Sequence, residues 1–164
     1  MNGLPDSQIE NRKSKIENLS AHPWVLLGCA WVLGGVMAGA AWPKIADPPE
    51  FLRSLYAYLL LPDPLLAPLA LFLPWLEALA GLALILGPAR RGAAAITLVL
   101  MVVFLGALGI NRLRGNPVDC GCFGNSKVQK TRDERLKDMD WAMLRDLGLA
   151  LLAVNVLRGR RPEP

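Results

Sequence analysis

Charged residues are missing from long stretches of this chain and crowd into the gaps between them. The first stretch, Trp24 to Trp42 (WVLLGCAWVLGGVMAGAAW), carries no charge. Roughly 20 apolar residues suffice to cross a bilayer core as a helix. Trp at each end suits the interfacial aromatic belt, and Pro43-Lys44 closes the run. In the following DPPEFLRSLYAYLLLPDP, Phe51, Leu52, Leu55, Tyr58 and Leu59 recur at helical spacing. Asp47 and Glu50 stand as a cap and its reciprocal partner, with Pro48 at the first helical position. This pattern predicts a short amphipathic helix at the membrane surface, ended by Pro62 and Pro64.

The second apolar run, Leu65 to Gly87, holds one ionisable residue, Glu77, near its middle. Pro68 and Pro74 should loosen or kink it, which a membrane bundle tolerates. A basic turn, Pro88-Ala89-Arg90-Arg91, leads to the third run, Gly92 to Asn111, which Arg112 and Arg114 follow. After a polar segment, Thr131 and Glu134 repeat the capping-box spacing. A last helix is therefore expected from near Arg132, through Trp141, into Leu147–Leu157. Counted from Trp141 it is long enough to span. Arg145 and Asp146 near one end are expected in a polar cluster, with each other or with neighbouring helices.

The pattern predicts an all-α fold: an integral membrane four-helix bundle, antiparallel, with a short amphipathic interfacial helix between helices 1 and 2. Residues 1–22 read as a weakly structured polar tail, 23–158 as the membrane domain and 159–164 as a basic tail. The polar tail repeats Ser7–Asn11 as Ser14–Asn18, too few copies for a coiled coil. The first apolar run has no clear small-residue cleavage site and reads as an uncleaved anchor. Gly28, Gly34, Gly35, Ala38 and Gly39 give that run a small-residue surface, including Gly35-x-x-x-Gly39. Such surfaces let helices approach closely. Packing inside the bundle is the favoured use, homodimerisation the other.

Composition adds orientation and partners. The 164 residues are 53% hydrophobic, with a net charge of +4. The basic residues lie between apolar runs, so they read as topology signals and contacts with the lipid bilayer, with no nucleic acid as partner. They orient the bundle poorly. Eight Lys or Arg fall on the side of the termini and the Arg90-Arg91 turn, and ten on the other.

The chemistry lies in PVDCGCFGNS, Pro117–Ser126, which places two of the three cysteines one glycine apart. A zinc site wants four ligands, and the chain has three Cys and one His; no metal is expected. A disulfide between Cys120 and Cys122 requires a bend, which Gly121 permits. So small a ring removes almost no unfolded-state entropy, and strained, exposed disulfides tend to be the labile or catalytic ones. A redox-active pair is thus favoured over an inert one. Arg112 and Arg114 would favour a thiolate and Asp119 would oppose it. Cys29, alone on an apolar helix, reads as a small hydrophobe, and His22 is assigned no role. Glu77 has two candidate roles. A mid-membrane carboxyl is a functional-site hypothesis by default, here serving a quinone or relaying a proton. Otherwise it is a bundle-facing acid bonded to a neighbouring helix.

Three stretches carry a family resemblance: NRLRGNPVDCGCFG (Asn111–Gly124), LPWLEALAGLALILG (Leu73–Gly87) and AWPKIADPPEF between helix 1 and the amphipathic segment. Over roughly residues 22 to 158 the chain resembles the methylamine-utilisation MauE proteins, which belong with the DoxX-like, redox-associated membrane proteins. The resemblance implies a four-helix protein of the bacterial inner membrane. It also implies a thioredoxin-like periplasmic partner, MauD-like, in disulfide formation during maturation of a periplasmic methylamine dehydrogenase. Cys120 and Cys122 match the family's paired cysteines and Glu77 its second-helix acid. Asp119, Gly121, Asn111 and Arg112 then support the site.

The reading that follows is a membrane thiol–disulfide component, with a quinone as candidate acceptor. Disulfide chemistry belongs in an oxidising compartment, which puts the cysteine loop in the periplasm and both termini in the cytoplasm. Two alternatives stay open: a non-catalytic docking or assembly factor, and a DoxX-type subunit of a quinone-linked sulfur-compound oxidoreductase.

Overall fold

A computed structural model describes residues 23–87, 89–118 and 131–159. They form five helices: α1 (Pro23–Ala46), α2 (Pro48–Tyr58), α3 (Asp63–Leu86), α4 (Arg90–Leu113) and α5 (Arg132–Arg158). Among the described residues there is no strand. At 1.5 Å per residue, 24 residues reach about 36 Å, more than the ~30 Å hydrocarbon core. Three helices, α1, α3 and α4, are long and apolar enough to cross a membrane. The residues expected to form a fourth span, from Trp141 onward, lie in α5, which is not one of these three and whose first turns are heavily charged. The polar tail 1–22 lies outside the described residues.

The helices are turned inside out relative to a water-soluble bundle. Trp24, Trp31, Phe72, Trp75, Val103 and Leu151 point outward, whereas Lys44, Glu77, Thr97, Asn111 and Asp146 are buried. Water would penalise so continuous an apolar surface; lipid requires it. Inside, Ala30, Leu33 and Met37 of α1 pack with Leu84 of α3, Ala94 and Met101 of α4, and Ala150 and Ala153 of α5. Cys29 packs at the edge of this core, as a small apolar side chain does.

Contacts between helix ends fix the directions. Arg91, at the start of α4, donates to the Gly159 carbonyl at the end of α5 (2.7 Å). Arg112, at the end of α4, pairs with Asp140 near the start of α5. The two helices are therefore antiparallel. α2 and the chain leaving α4 share one end of the bundle, where Asn116 donates to the Ala57 carbonyl of α2 (3.0 Å).

Local chemistry sets the boundaries. Asp47 accepts from the Glu50 backbone N–H (3.2 Å) and caps α2. Glu50's carboxylate accepts from Arg53. Thr131 and Glu134 form the full capping box of α5. Two expected boundaries move. α2 does not run to Pro62; it stops at Leu59, which takes a left-handed conformation (φ 50°). α1 does not stop at Trp42, because the helix continues through Pro43 to Ala46. A proline deprives only the carbonyl four residues back of its partner, and membrane bundles tolerate that. α3 likewise runs unbroken through Pro68 and Pro74.

The small-residue face of α1 divides in two. A Cβ on Gly34 would stand 2.6 Å from the Gly81 carbonyl oxygen of α3, and one on Gly81 would stand 2.7 Å from the Gly34 oxygen. These two glycines let the backbones touch. Gly35 and Gly39 face outward and a Cβ on either would meet nothing within 4 Å. The in-bundle packing favoured above is present, but through Gly34.

Candidate functional site

The extra turn of α1 carries Lys44 into the bundle. A helical side chain leaves its backbone tilted toward the helix N-terminus, so Lys44 reaches inward along α1 toward α3. There its Nζ donates to both oxygens of Glu77 at 2.7 Å each. The two side chains are 1% and 2% exposed. The ammonium also lies 5.1 Å from the ring centre of Phe51 on α2 and 5.0 Å from that of Phe104 on α4. Aromatic faces attract a cation at that range. Glu77 thus faces the bundle and is ion-paired to a neighbouring helix, the second of its two expected roles.

Lys44 was hidden in the sequence because Pro43 resembles a stop. The counter-signal was available: no Gly or Asn separates Trp42 from the Asp47 cap, so nothing terminates α1 before Ala46. Arg145 and Asp146 do pair, at 2.8 Å.

The second cluster holds the base of the cysteine loop. α4 ends in a Schellman motif: the Gly115 N–H donates to the Arg112 carbonyl (3.1 Å) and the Asn116 N–H to the Asn111 carbonyl (3.0 Å). Gly115 has φ +66°, a conformation that favours glycine. Asn111 is fully buried; its Nδ2 donates to Ala107 and its Oδ1 accepts from Asn116 (3.1 Å). The backbone N–H of Val118 donates to the Met139 sulfur (3.3 Å). Val118 and Met139 are buried with Tyr58 and Leu108. Arg132, where the chain returns, donates to the Gly115 carbonyl (2.9 Å).

Arg112 pairs with Asp140 of α5. Its Nε and Nη2 meet both oxygens of Asp140, at 2.9 and 3.3 Å. The guanidinium's hydrogen bond holds the Asp140 carboxyl below the usual carboxylate range. Arg114 donates to the Leu59 carbonyl (3.4 Å). Asp119, Cys120, Gly121 and Cys122 lie outside the described residues, which stop at Val118 and resume at Thr131. Among the described residues no group of His, Cys, Asp and Glu is arranged to hold a metal ion.

Asn111→Leu tests this base. It leaves the Asn116 amide without one acceptor and buries no new partner, so a loss of about 1–3 kcal/mol is expected. Denaturant unfolding in mixed micelles measures it. A loss below measurement error would mean that Asn111 does not lock the loop to α4.

A family model described as Methylamine utilisation protein MauE matches residues 22–159. The methylamine utilization protein MauE of Methylorubrum extorquens is 38% identical over 123 residues, covering 74% of this chain and 62% of the relative. That of Methylophilus methylotrophus is 37% identical over 108 residues, 65% of this chain and 57% of the relative. That of Paracoccus denitrificans is 34% identical over 139 residues, 84% and 70%. The matches to the first two therefore span less than two thirds of those relatives. No solved structure matches the chain. Since the matched span takes in the Lys44–Glu77 pair, the base of the cysteine loop and all five helices, the chain belongs to the MauE family.

Proposed function

We propose that this protein is a membrane-embedded thiol–disulfide component of methylamine utilisation, the process its relatives are named for. Cys120 and Cys122 exchange disulfides with a thioredoxin-like, MauD-like partner outside the cytoplasm. One observation carries most weight. Both ends of the segment holding the thiol pair are tied down, through Asn116, Val118 and Arg132, at the end of the bundle that α2 covers. An inert loop needs no such footing, whereas a pair presented to a partner does.

In this reading the Cys120–Cys122 disulfide is attacked by a partner thiolate. A mixed disulfide forms, and the partner's second thiol displaces it. The partner leaves oxidised and both cysteines are left reduced. A membrane acceptor of the quinone class then takes two electrons and two protons, with Glu77 as proton carrier. The oxidising compartment puts the loop in the periplasm of a bacterial inner membrane, both termini in the cytoplasm and α5 across the bilayer as the fourth span.

With the partner co-expressed and free thiols alkylated, non-reducing electrophoresis of membranes tests the reading. Cys120→Ser and Cys122→Ser are each expected to abolish partner oxidation. One of them, not both, is expected to accumulate the mixed disulfide. A membrane-impermeant thiol reagent, applied to spheroplasts after mild reduction, should label the pair. If both Ser variants support full partner oxidation, the redox reading fails and a docking protein replaces it.

A further inference from the structure

Arginines at the two ends of the bundle are held differently. At the end that α2 covers, Arg112 meets the Asp140 carboxylate and Arg53 meets that of Glu50. At the opposite end α1 and α4 begin and α3 and α5 finish. Arg90, Arg91 and Arg158 stand there, and among the described residues none of them meets a carboxylate. The nearest acids on α3 and α5 are Glu77 and Asp146, both buried and each with a cation of its own. Arg91 gives an N–H to the Gly159 carbonyl (2.7 Å) and Arg90 gives one to the Leu84 carbonyl (3.3 Å). A guanidinium has further donors to offer, and a carbonyl leaves its charge uncompensated. Cations in the first turn of a helix oppose its dipole, so α4 itself draws no support from beginning Arg90-Arg91. Arg158 and the side-chain amide of Asn155 have no hydrogen-bond partner among the described residues. Asn155 lies one turn before Arg158 and Gly159, on the same face of α5. The end of α5 touches the start of α1, because a Cβ on Gly159 would stand 2.5 Å from the Leu26 side chain. Trp24 on α1 and Leu86 on α3 are exposed at this end, where the apolar surface stops.

We propose that Arg91, Asn155 and Arg158 form a headgroup site for one anionic phospholipid, set where α4 begins and α5 ends. Arg91 is anchored on Gly159, the residue after Arg158, so two guanidinium groups are carried at adjacent positions. Guanidinium forks match the oxygens of a phosphate. The Asn155 amide, one turn deeper, stands at the level of a lipid's ester carbonyls and donates there. Arg90 adds a third positive charge from the side of α3. Basic pockets between membrane helices hold anionic headgroups in this way. A zwitterionic headgroup would bring its own ammonium among three uncompensated arginines, which repels it. Free phosphate has no acyl chains to lie on the apolar surface below. A topology signal alone needs only positive charge, which lysine supplies equally well. It does not need a guanidinium fixed on the last turn of α5 or an unpaired amide beneath it. The site is independent of the thiol reading and of which side of the membrane it faces.

The test counts lipids that stay on the full chain. Protein is released from nanodiscs of equal phosphatidylglycerol and phosphatidylcholine, and native mass spectrometry reads what it retains. The unaltered chain is expected to keep one phosphatidylglycerol in clear preference to phosphatidylcholine. Arg158→Gln removes a side chain that is exposed and has no internal partner, so the helix packing is untouched. Its phosphatidylglycerol retention should fall about fivefold, the contribution of one arginine at a membrane surface. Arg158→Lys should recover part of the loss, since it restores charge without the fork. Asn155→Leu added to Arg158→Gln should lower retention further. Arg53→Gln removes an arginine from the other end and should retain lipid as the unaltered chain does. Excess inorganic phosphate should not displace the lipid. Equal retention of the two lipids, or full retention in Arg158→Gln, would overturn the proposal. So would an equal fall in Arg53→Gln, which would mean diffuse charge, or displacement by phosphate, which would mean a free-anion site.

Discussion

Lys44→Met is expected to destabilise the folded bundle by about 3–5 kcal/mol, the cost of removing one partner of a buried ion pair. Both Glu77 oxygens lie on the Lys44 ammonium, and neither side chain reaches solvent. Without the cation, Glu77 must either remain an unpaired buried charge or take up a proton. Methionine keeps most of the stem that packs beside Phe51 and Phe104, so the loss reports charge rather than volume. The double variant Lys44→Met/Glu77→Leu is expected to regain most of the stability, because well-packed apolar pairs often equal or exceed buried ionic ones. Denaturant unfolding in mixed micelles checks both, with an unchanged slope required for the comparison. A single variant that loses less than about 1 kcal/mol would mean that the pair is hydrated, contrary to its burial. The double variant also separates folding from function. It restores the bundle but removes the Glu77 carboxyl, so under the proposed redox function it should fold well and still fail to reoxidise the thiol pair.

How much of this was legible beforehand depended on what enforced each feature. The apolar runs of α1, α3 and α4 were readable because lipid leaves no latitude: every outward position must be apolar for some 20 residues. Helix starts were readable because an orphan backbone N–H must find an acceptor, and Asp47 and Thr131 supply one within three residues. Side-chain partners across helices were not, because they depend on helix rotation and register. Lys44 looked like a loop cation until one further helical turn aimed it at Glu77. Arg145 and Asp146 pair with each other, one of the two arrangements their sequence allows, yet nothing in their spacing shows that they line the same cavity as Lys44 and Glu77. Arg112 stands near the thiols in sequence, and nothing in its spacing shows that its guanidinium pairs with Asp140, 28 residues away. The thiol pair itself is legible in the sequence and lies outside the described residues.

The small residues of α1 show the same limit and give a sharp test of register. The spacing Gly35-x-x-x-Gly39 drew attention, but the helix is rotated so that Gly34, one residue earlier, meets α3. Gly34→Ala and Gly35→Ala are therefore expected to shift stability in opposite directions. At 34 the new Cβ stands 2.6 Å from the Gly81 carbonyl oxygen and 2.8 Å from Ile85 Cγ1. The first of these is backbone, so relief requires α1 and α3 to separate. Overpacking of this kind costs about 1–3 kcal/mol. Separation would also lengthen the Lys44–Glu77 pair, which spans the same two helices. At 35 the Cβ meets nothing within 4 Å, and replacing a mid-helix glycine by alanine gains about 0.5–1 kcal/mol. The pair of variants differs by one residue in position and by no chemistry, so propensity cancels and only the contact remains. Unfolding of both proteins in the same micelles measures the difference. Equal effects at 34 and 35 would mean that α1 is rotated from the orientation that joins Gly34 to Gly81, and the inward aim of Lys44 would fall with it.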